Sequence, residues 1–219
     1  APVWAVVALS QPAFAKDANG AKDGQEPVSF QHKDWALQCD NTRACRAVGY
    51  QADGSESEPV SILLARQAGP GTPVEVTLQV STENASPASL QMRVGKLVLA
   101  GLKGDTPHVP PGQVPALLQE LLRNEEATLS AGRDQWKLSL AGASAVLLKM
   151  DEAQGRAGTP GALVRRGTRP ESSVLPPLPA PVVRAVKPAP ARKDDAALAK
   201  PLIAAVEGYA LAGGCEMAL

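Results

Sequence analysis

Residues 74–80 read VEVTLQV, and this stretch decides the fold class. Its three valines and one leucine occupy every second position, with Glu75, Thr77 and Gln79 between them. Successive side chains of a strand point to opposite faces of the sheet. The period of two therefore predicts a β-strand that buries one face and exposes the other to water.

Similar strand-like runs recur on both sides of this stretch, separated by turn residues such as those at 52–55 and 68–71. The other runs are 34–39, 45–51, 60–66, 90–94 and 96–100, followed later by 127–130 and 135–140. The last two are joined through a Gly-Arg-Asp turn, which predicts a hairpin. Because no helix separates the early runs, they predict antiparallel strands in a sandwich or barrel-like domain rather than βαβ units.

Two short helices are expected beside these strands. The first begins near Pro115, which is tolerated in a first helical turn, and its apolar face consists of Leu117, Leu118, Leu121 and Leu122. The second covers 143–154, with Ser144 as a possible N-terminal cap and Gly155 as the glycine that ends it. The chain is thus predicted to be mainly β.

The first fifteen residues have the layout of the end of a signal peptide. Residues 1–9 (APVWAVVAL) are apolar and uncharged, Pro12 would stop a helix, and Ala13-Phe14-Ala15 places small residues one and three positions before a cut. We therefore expect cleavage after Ala15 and a periplasmic mature chain. Nine apolar residues cannot span about 30 Å of hydrocarbon, so no transmembrane span is expected in the mature chain.

The remaining boundaries follow from composition. Residues 16–29 are polar and predict a flexible lead-in to a β-rich domain at 30–168. Residues 169–201 contain eight of the twenty prolines, which predicts an extended Pro-rich linker. Because a linker normally joins two folded parts, residues 202–219 are expected to begin a truncated second domain.

Three cysteines occur, at positions 39, 45 and 215. In an oxidising compartment Cys39 and Cys45 can close a seven-residue loop, and a disulfide is expected there. The alternatives are free thiols or a metal site that also uses His32, although zinc normally takes four ligands and no fourth is suitably spaced. A partner for Cys215 is expected beyond Leu219.

Charge and motifs narrow the functional classes. Lys plus Arg and Asp plus Glu both total 22, so nothing favours a nucleic-acid partner. Gly-x-Ser-x-Gly, His-Glu-x-x-His and phosphate-loop signatures do not occur, and neither His32 nor His108 stands near a nucleophile at a catalytic spacing. No catalytic residue, metal or cofactor is predicted.

The densest polar group lies at the end of the second predicted helix. Asp151, Gln154 and Arg156 share one edge, and Arg165 and Arg166 follow in a Gly-rich and Arg-rich segment. These five residues form the candidate interaction surface, where they could bind a ligand. Alternatively, the first three brace the two later arginines.

Three stretches resemble a known bacterial family. They are 30–50 (FQHKDWALQCDNTRACRAVGY), 60–70 (VSILLARQAGP) and 136–168 (WKLSLAGASAVLLKMDEAQGRAGTPGALVRRGT). Together they resemble domain of unknown function 1176, which is similar to the invasion-associated locus B proteins. The resemblance implies a periplasmic protein with a β-sandwich-like first half, a Pro-rich joint and a second half with further cysteines. It implies no reaction.

These observations favour a non-enzymatic periplasmic module that binds an unknown envelope protein or ligand. Two alternatives stay open. One is an enzyme whose site lies in a second half beyond this chain, and the other is a structural spacer of the cell envelope. The sequence predicts neither the ligand nor the oligomeric state.

Overall fold

The computed structural model describes residues 26–52, 58–81 and 87–180. Within them the chain forms two antiparallel sheets and two short α-helices, which confirms the predicted fold class. Each sheet has two ends in its strand order, so neither closes into a barrel. None of the helices in these ranges is long and apolar enough to cross a membrane.

The first sheet is a five-stranded meander in which each strand pairs with its neighbours in sequence. Its strands are β1 (Val28–His32), β2 (Trp35–Cys39), β3 (Cys45–Tyr50), β4 (Val60–Arg66) and β5 (Val74–Val80). The alternation predicted for β5 is confirmed at its centre, where Val76 and Leu78 are buried. β1 was not among the predicted strands, and its first two residues fall within the expected lead-in at 16–29.

An irregular segment covers the outer edge of β5. The Leu78 N–H donates to the Pro107 carbonyl and the Val109 N–H donates to the Val76 carbonyl, both at 2.9 Å. An open strand edge is a template for pairing with another chain. Residues 107–109 therefore satisfy part of this edge within the same molecule.

The second sheet has the strand order β7-β6-β8-β9. Its strands are β6 (Leu90–Val94), β7 (Leu97–Leu102), β8 (Glu126–Ala131) and β9 (Asp134–Ser139). Helix α1 (Val114–Leu121) lies between β7 and β8 in sequence and buries Leu117 and Leu121, as its apolar spacing predicts. The predicted hairpin is confirmed, since β8 and β9 pair up to Ala131 and Asp134.

Two tryptophans connect the sheets across one continuous core. Trp35 of β2 is fully buried, and its indole Nε1 donates to the Ser139 carbonyl of β9 at 2.9 Å. Trp136 of β9 donates in the same way to the Ser81 carbonyl at 3.0 Å. A buried indole N–H that lacked an acceptor would be costly, so these bonds help to fix how the two sheets face each other.

Helix α2 (Ala143–Ala153) packs against β1, β2 and β3 of the first sheet. The prediction that Ser144 caps it was wrong, because the cap is Gly142 at φ +102°. A Cβ atom on residue 142 would lie 2.1 Å from the His32 carbonyl oxygen, so only glycine permits this close approach. At the other end Gly155, at φ +66°, terminates the helix as predicted, with N–H bonds from residues 155 and 156 to the last helical carbonyls.

Residues 169–178, named here the C-terminal segment, pack on the domain although their composition predicts a linker. Val174 is buried, the Gly69 N–H donates to the Leu175 carbonyl at 3.1 Å, and the Leu178 N–H donates to the Thr42 carbonyl at 3.2 Å. The predicted signal peptide at 1–15, residues 16–25 of the predicted lead-in, residues 181–201 of the predicted linker, residues 202–219 and Cys215 lie outside the described residues.

Candidate functional site

The disulfide marks one end of the first sheet. Cys39 and Cys45 stand opposite each other where β2 and β3 meet, and their sulfur atoms are bonded. The predicted disulfide is therefore confirmed, and neither cysteine serves as a free thiol or metal ligand. The Asp40 carboxylate fixes the intervening loop by accepting hydrogen bonds from the Thr42 N–H, the Thr42 hydroxyl and the Ala44 N–H.

A buried ion pair lies beside this end of the sheet. Arg66 is the last residue of β4, and its Nη2 donates to Asp151 Oδ1 of α2 at 2.7 Å. Both side chains are almost completely removed from water. Burial lowers the pKa of Arg66, while the hydrogen bond and charge of Asp151 oppose that effect.

Gln154 connects this ion pair to the disulfide loop. Its Oε1 accepts from Arg66 Nε at 2.6 Å, and its Nε2 donates to the Arg43 carbonyl at 2.9 Å and to the Arg66 carbonyl at 3.0 Å. The amide thereby uses both of its donors and one acceptor inside the protein. The side chain that follows the last residue of α2 thus holds the 40–44 loop and the end of β4 together.

The second oxygen of Asp151 holds the segment that follows α2. Its Oδ2 accepts the N–H groups of Leu163 at 2.7 Å and Val164 at 3.1 Å. A buried carboxylate costs free energy unless it is both paired and hydrogen-bonded, and Asp151 meets both conditions. Asp151 thus supports the backbone immediately before Arg165 and Arg166.

Arg156 and Glu171 extend the cluster toward the surface. The Arg156 guanidinium is buried and its Nη2 bonds to the Gly69 carbonyl and the Thr72 hydroxyl. Glu171, on the C-terminal segment, accepts the Gly161 N–H at 2.6 Å. This bond is the main cause of the lowered pKa of Glu171, and the charge of Arg156 lowers that pKa further. Burial lowers the pKa of Arg156, and the charges of Glu171 and Asp151 oppose the shift.

The five predicted surface residues separate into two groups. Asp151, Gln154 and Arg156 are buried and use their polar atoms within the fold, whereas Arg165 and Arg166 are exposed. Asp151 does not contact the side chains of Arg165 and Arg166, as the bracing alternative supposed. It instead binds the backbone N–H groups of the two residues before them.

Two members of the cluster, Arg66 and Glu171, were not identified from the sequence. Arg66 had a usable signal, since it occupies the same face of β4 as the buried Val60, Ile62 and Leu64. A charged residue at an inward position of a strand requires a buried partner. Glu171 lies in a Pro-rich stretch whose composition indicated no contact with the domain.

The polar atoms of Asp151 and Gln154 are engaged within the protein and are not presented to a substrate. Both oxygens of Asp151 accept hydrogen bonds, and the Gln154 amide is held by Arg66 and two carbonyls. Among the described residues, no group of three or more His, Cys, Asp or Glu residues is placed to hold a metal ion. The polar cluster, defined as Arg66, Asp151, Gln154, Arg156 and Glu171, is therefore a scaffold for the segments around it.

Residues 29–216 match the family described as Protein of unknown function (DUF1176). The chain belongs to this family. The resemblance noted in the sequence is thereby confirmed, and the DUF1176 match includes both cysteines of the disulfide and the whole polar cluster.

One relative is the uncharacterized protein YpfG of Escherichia coli strain K12, which is 29% identical over 166 residues. That alignment covers 70% of this chain and 46% of YpfG, so the DUF1176 chain spans about half the length of this relative. Among solved structures, the invasion associated protein b of Bartonella henselae is similar over 58% of this chain and 99% of that protein, with 14% identity and a TM-score of 0.44.

Proposed function

We propose that this DUF1176 chain is a non-enzymatic interaction module of the bacterial periplasm, and that it binds an envelope partner through residues 156–168, named here the arginine loop. The observation that carries the proposal is that buried groups hold this loop in place while it displays Arg165 and Arg166 to solvent. Binding residues occur frequently on loops that a rigid scaffold positions.

The arginine loop has no regular secondary structure, yet its own backbone bonds hold it. The Gly158 N–H donates to the Arg165 carbonyl at 2.8 Å, and the Gly167 N–H donates to the Thr159 carbonyl at 3.2 Å. The fully buried Thr159 hydroxyl donates to the Arg156 carbonyl at 2.8 Å. Together with the two amides that Asp151 binds, these contacts reduce the entropy that the loop would lose on binding.

The exposed chemistry of the loop favours an acidic partner. Arg165 and Arg166 are adjacent, and residues 155–170 contain no Asp or Glu. Guanidinium groups bind carboxylates and phosphates through two parallel hydrogen bonds. Since the chain as a whole is neutral, this local charge supports a specific acidic surface rather than general attraction to polyanions.

The periplasmic part of the proposal has two supports. The bonded pair Cys39 and Cys45 suits an oxidising compartment, because disulfides are rare where thiols are kept reduced. The Ala13-Phe14-Ala15 pattern suits cleavage by signal peptidase. Mass spectrometry of the protein recovered from a periplasmic extract should give Lys16 as the mature N-terminus.

The binding part can be tested with two charge-matched double variants. R165Q/R166Q removes two positive charges from the arginine loop, and R93Q/K96Q removes two exposed charges from the β6 to β7 hairpin of the second sheet. An envelope protein captured by the wild type is purified, and its affinity for each variant is measured by calorimetry. We expect at least a tenfold loss for R165Q/R166Q and less than a twofold loss for the control. Equal losses would show nonspecific charge attraction, and no loss in either would exclude the loop as the binding surface.

A further inference from the structure

Glu171 sits in a small cradle formed by two separate parts of the domain. The Gly161 N–H donates to Oε1 at 2.6 Å, and the Gly71 N–H adds to the lowering of the Glu171 pKa. Arg156 Nη1 lies 3.9 Å from Oε2. Backbone N–H groups beside a guanidinium are the donors that recognise a carboxylate.

The guanidinium of the cradle is held by contacts other than those to Glu171. Arg156 is buried, and its Nη2 is held by the Gly69 carbonyl and the Thr72 hydroxyl, so the guanidinium has little freedom to move away. A Cβ atom on residue 161 would lie 2.6 Å from Oε1 of Glu171. Glycine at position 161 is therefore what allows a carboxylate to approach the backbone N–H.

Glu171 uses only part of this donor set. The 3.9 Å separation between Oε2 and Arg156 Nη1 exceeds hydrogen-bond length, and Oε2, although buried, has no hydrogen-bond partner in the described part of the chain. Arg156 Nε is likewise buried and has no acceptor among the described residues. A carboxylate without a covalent tether could move closer and accept from the guanidinium while keeping the Gly161 N–H.

We propose that this cradle is a carboxylate-binding site, that Glu171 occupies it from within the chain, and that a carboxylate of a separate ligand replaces Glu171 when the C-terminal segment lifts. About a third of the Glu171 side chain is exposed, so the cradle opens to solvent at its rim. The segment is otherwise held by Val174 and by the backbone bond between Gly69 and Leu175. This inference does not depend on the binding surface proposed for Arg165 and Arg166.

Chemical rescue tests the site on the full chain. In Glu171→Ala the cradle keeps its donors but loses its occupant, and the melting temperature is measured in sodium acetate and in sodium chloride at equal ionic strength. We expect the melting temperature to fall, and then to rise with the logarithm of the acetate concentration above the dissociation constant, by about 3–6 °C when acetate reaches roughly tenfold that constant. The wild type should show no such rise, because Glu171 competes from within the chain at a high effective concentration.

Two control variants test whether the acetate response comes from the cradle. Glu126→Ala removes an exposed glutamate of β8 that pairs only loosely with Lys137, and it should show no acetate response. Adding Gly161→Ala to Glu171→Ala places a methyl group 2.6 Å from the position of the carboxylate oxygen, which is too close for both, and should abolish the rescue. Replacing acetate by the α-monoamide of N-acetylglutamate, which keeps only the side-chain carboxylate, distinguishes a free carboxylate ligand from an acidic side chain by their dissociation constants.

The outcomes are decisive in both directions. A logarithmic, acetate-specific rise in the melting temperature of Glu171→Ala that disappears with Gly161→Ala supports the site. An equal acetate effect on the wild type, on Glu126→Ala or on the double variant would overturn it, because the anion would then act elsewhere. The absence of any response to both carboxylates in a folded Glu171→Ala protein would also overturn it.

Discussion

Arg66 and Asp151 form a buried ion pair between residues 85 positions apart, with 2.7 Å from Nη2 to Oδ1. The pair joins the last residue of β4 to the last turn of α2. Asp151 also binds the arginine loop, because its Oδ2 accepts the Leu163 and Val164 N–H groups. Three parts of the chain therefore depend on one carboxylate.

The first prediction concerns loss of this carboxylate. Asp151→Ala leaves the Arg66 charge buried without a partner and frees two backbone N–H groups, so we expect the free energy of unfolding to fall by about 3–5 kcal/mol. Glu152→Ala is the matched control, because the neighbouring Glu152 is exposed and pairs with Lys149 at 3.4 Å. Both variants are measured by urea unfolding, and Glu152→Ala should lower the free energy of unfolding by less than about 1 kcal/mol. Similar losses in the two variants would contradict the assigned role of Asp151.

The second prediction concerns the disulfide. Replacing both Cys39 and Cys45 by alanine removes a cross-link that closes seven residues, and the loop-entropy relation gives a loss of about 2.4 kcal/mol. Dithiothreitol should destabilise the wild type by a similar amount and leave the double alanine variant unchanged in thermal unfolding. If the reductant destabilised both proteins alike, its effect would not come from this bond.

The third prediction concerns pH. The folded protein lowers the pKa of Glu171 below its ordinary value near 4.5, mainly through the Gly161 N–H. A lowered pKa means that the ionised form stabilises the fold, so this contribution is complete above the ordinary pKa and is lost as pH falls through the folded pKa. The difference in unfolding free energy between the wild type and Glu171→Gln should therefore shrink from about pH 6 to about pH 3. Glu126→Gln provides the matched exposed control, and a constant difference for Glu171→Gln would contradict the assignment.

Every strand except β1 could be predicted because the signal of these strands is local. Alternation in residues 74–80 depends only on side chains that point to opposite faces, and the turn at 131–134 depends only on its own residues. The cap of α2 could not be predicted in this way. Ser144 is a good capping residue by type, but the close approach of the His32 carbonyl selects Gly142 through tertiary contact.

The candidate site was predictable only where its members lie near one another in sequence. Asp151, Gln154 and Arg156 fall within six positions, so their grouping was visible, but nothing local distinguished a buried network from an exposed surface. Their partner Arg66 lies at the end of strand β4, far from them in sequence. The docking of residues 169–178 likewise depends on Val174 and on backbone bonds to distant loops. The proline content of this segment predicted an extended linker instead.

The fourth prediction concerns Gly49, on which the packing of Trp35 depends. Gly49 stands opposite Trp35 in the pairing of β2 with β3, and a Cβ atom there would lie 2.4 Å from Cε2 of the Trp35 ring. Trp35 cannot withdraw without breaking its hydrogen bond to the Ser139 carbonyl, so Gly49→Ala should cost about 1–3 kcal/mol of unfolding free energy through overpacking. Gly112→Ala is the control, since a methyl group there meets no atom within 4 Å. The variants are compared by urea unfolding and by near-ultraviolet circular dichroism, which should change for Gly49→Ala only. An unchanged spectrum and stability in Gly49→Ala would contradict the predicted clash with Trp35, and a changed spectrum with unchanged stability would mean that Trp35 repacks without cost.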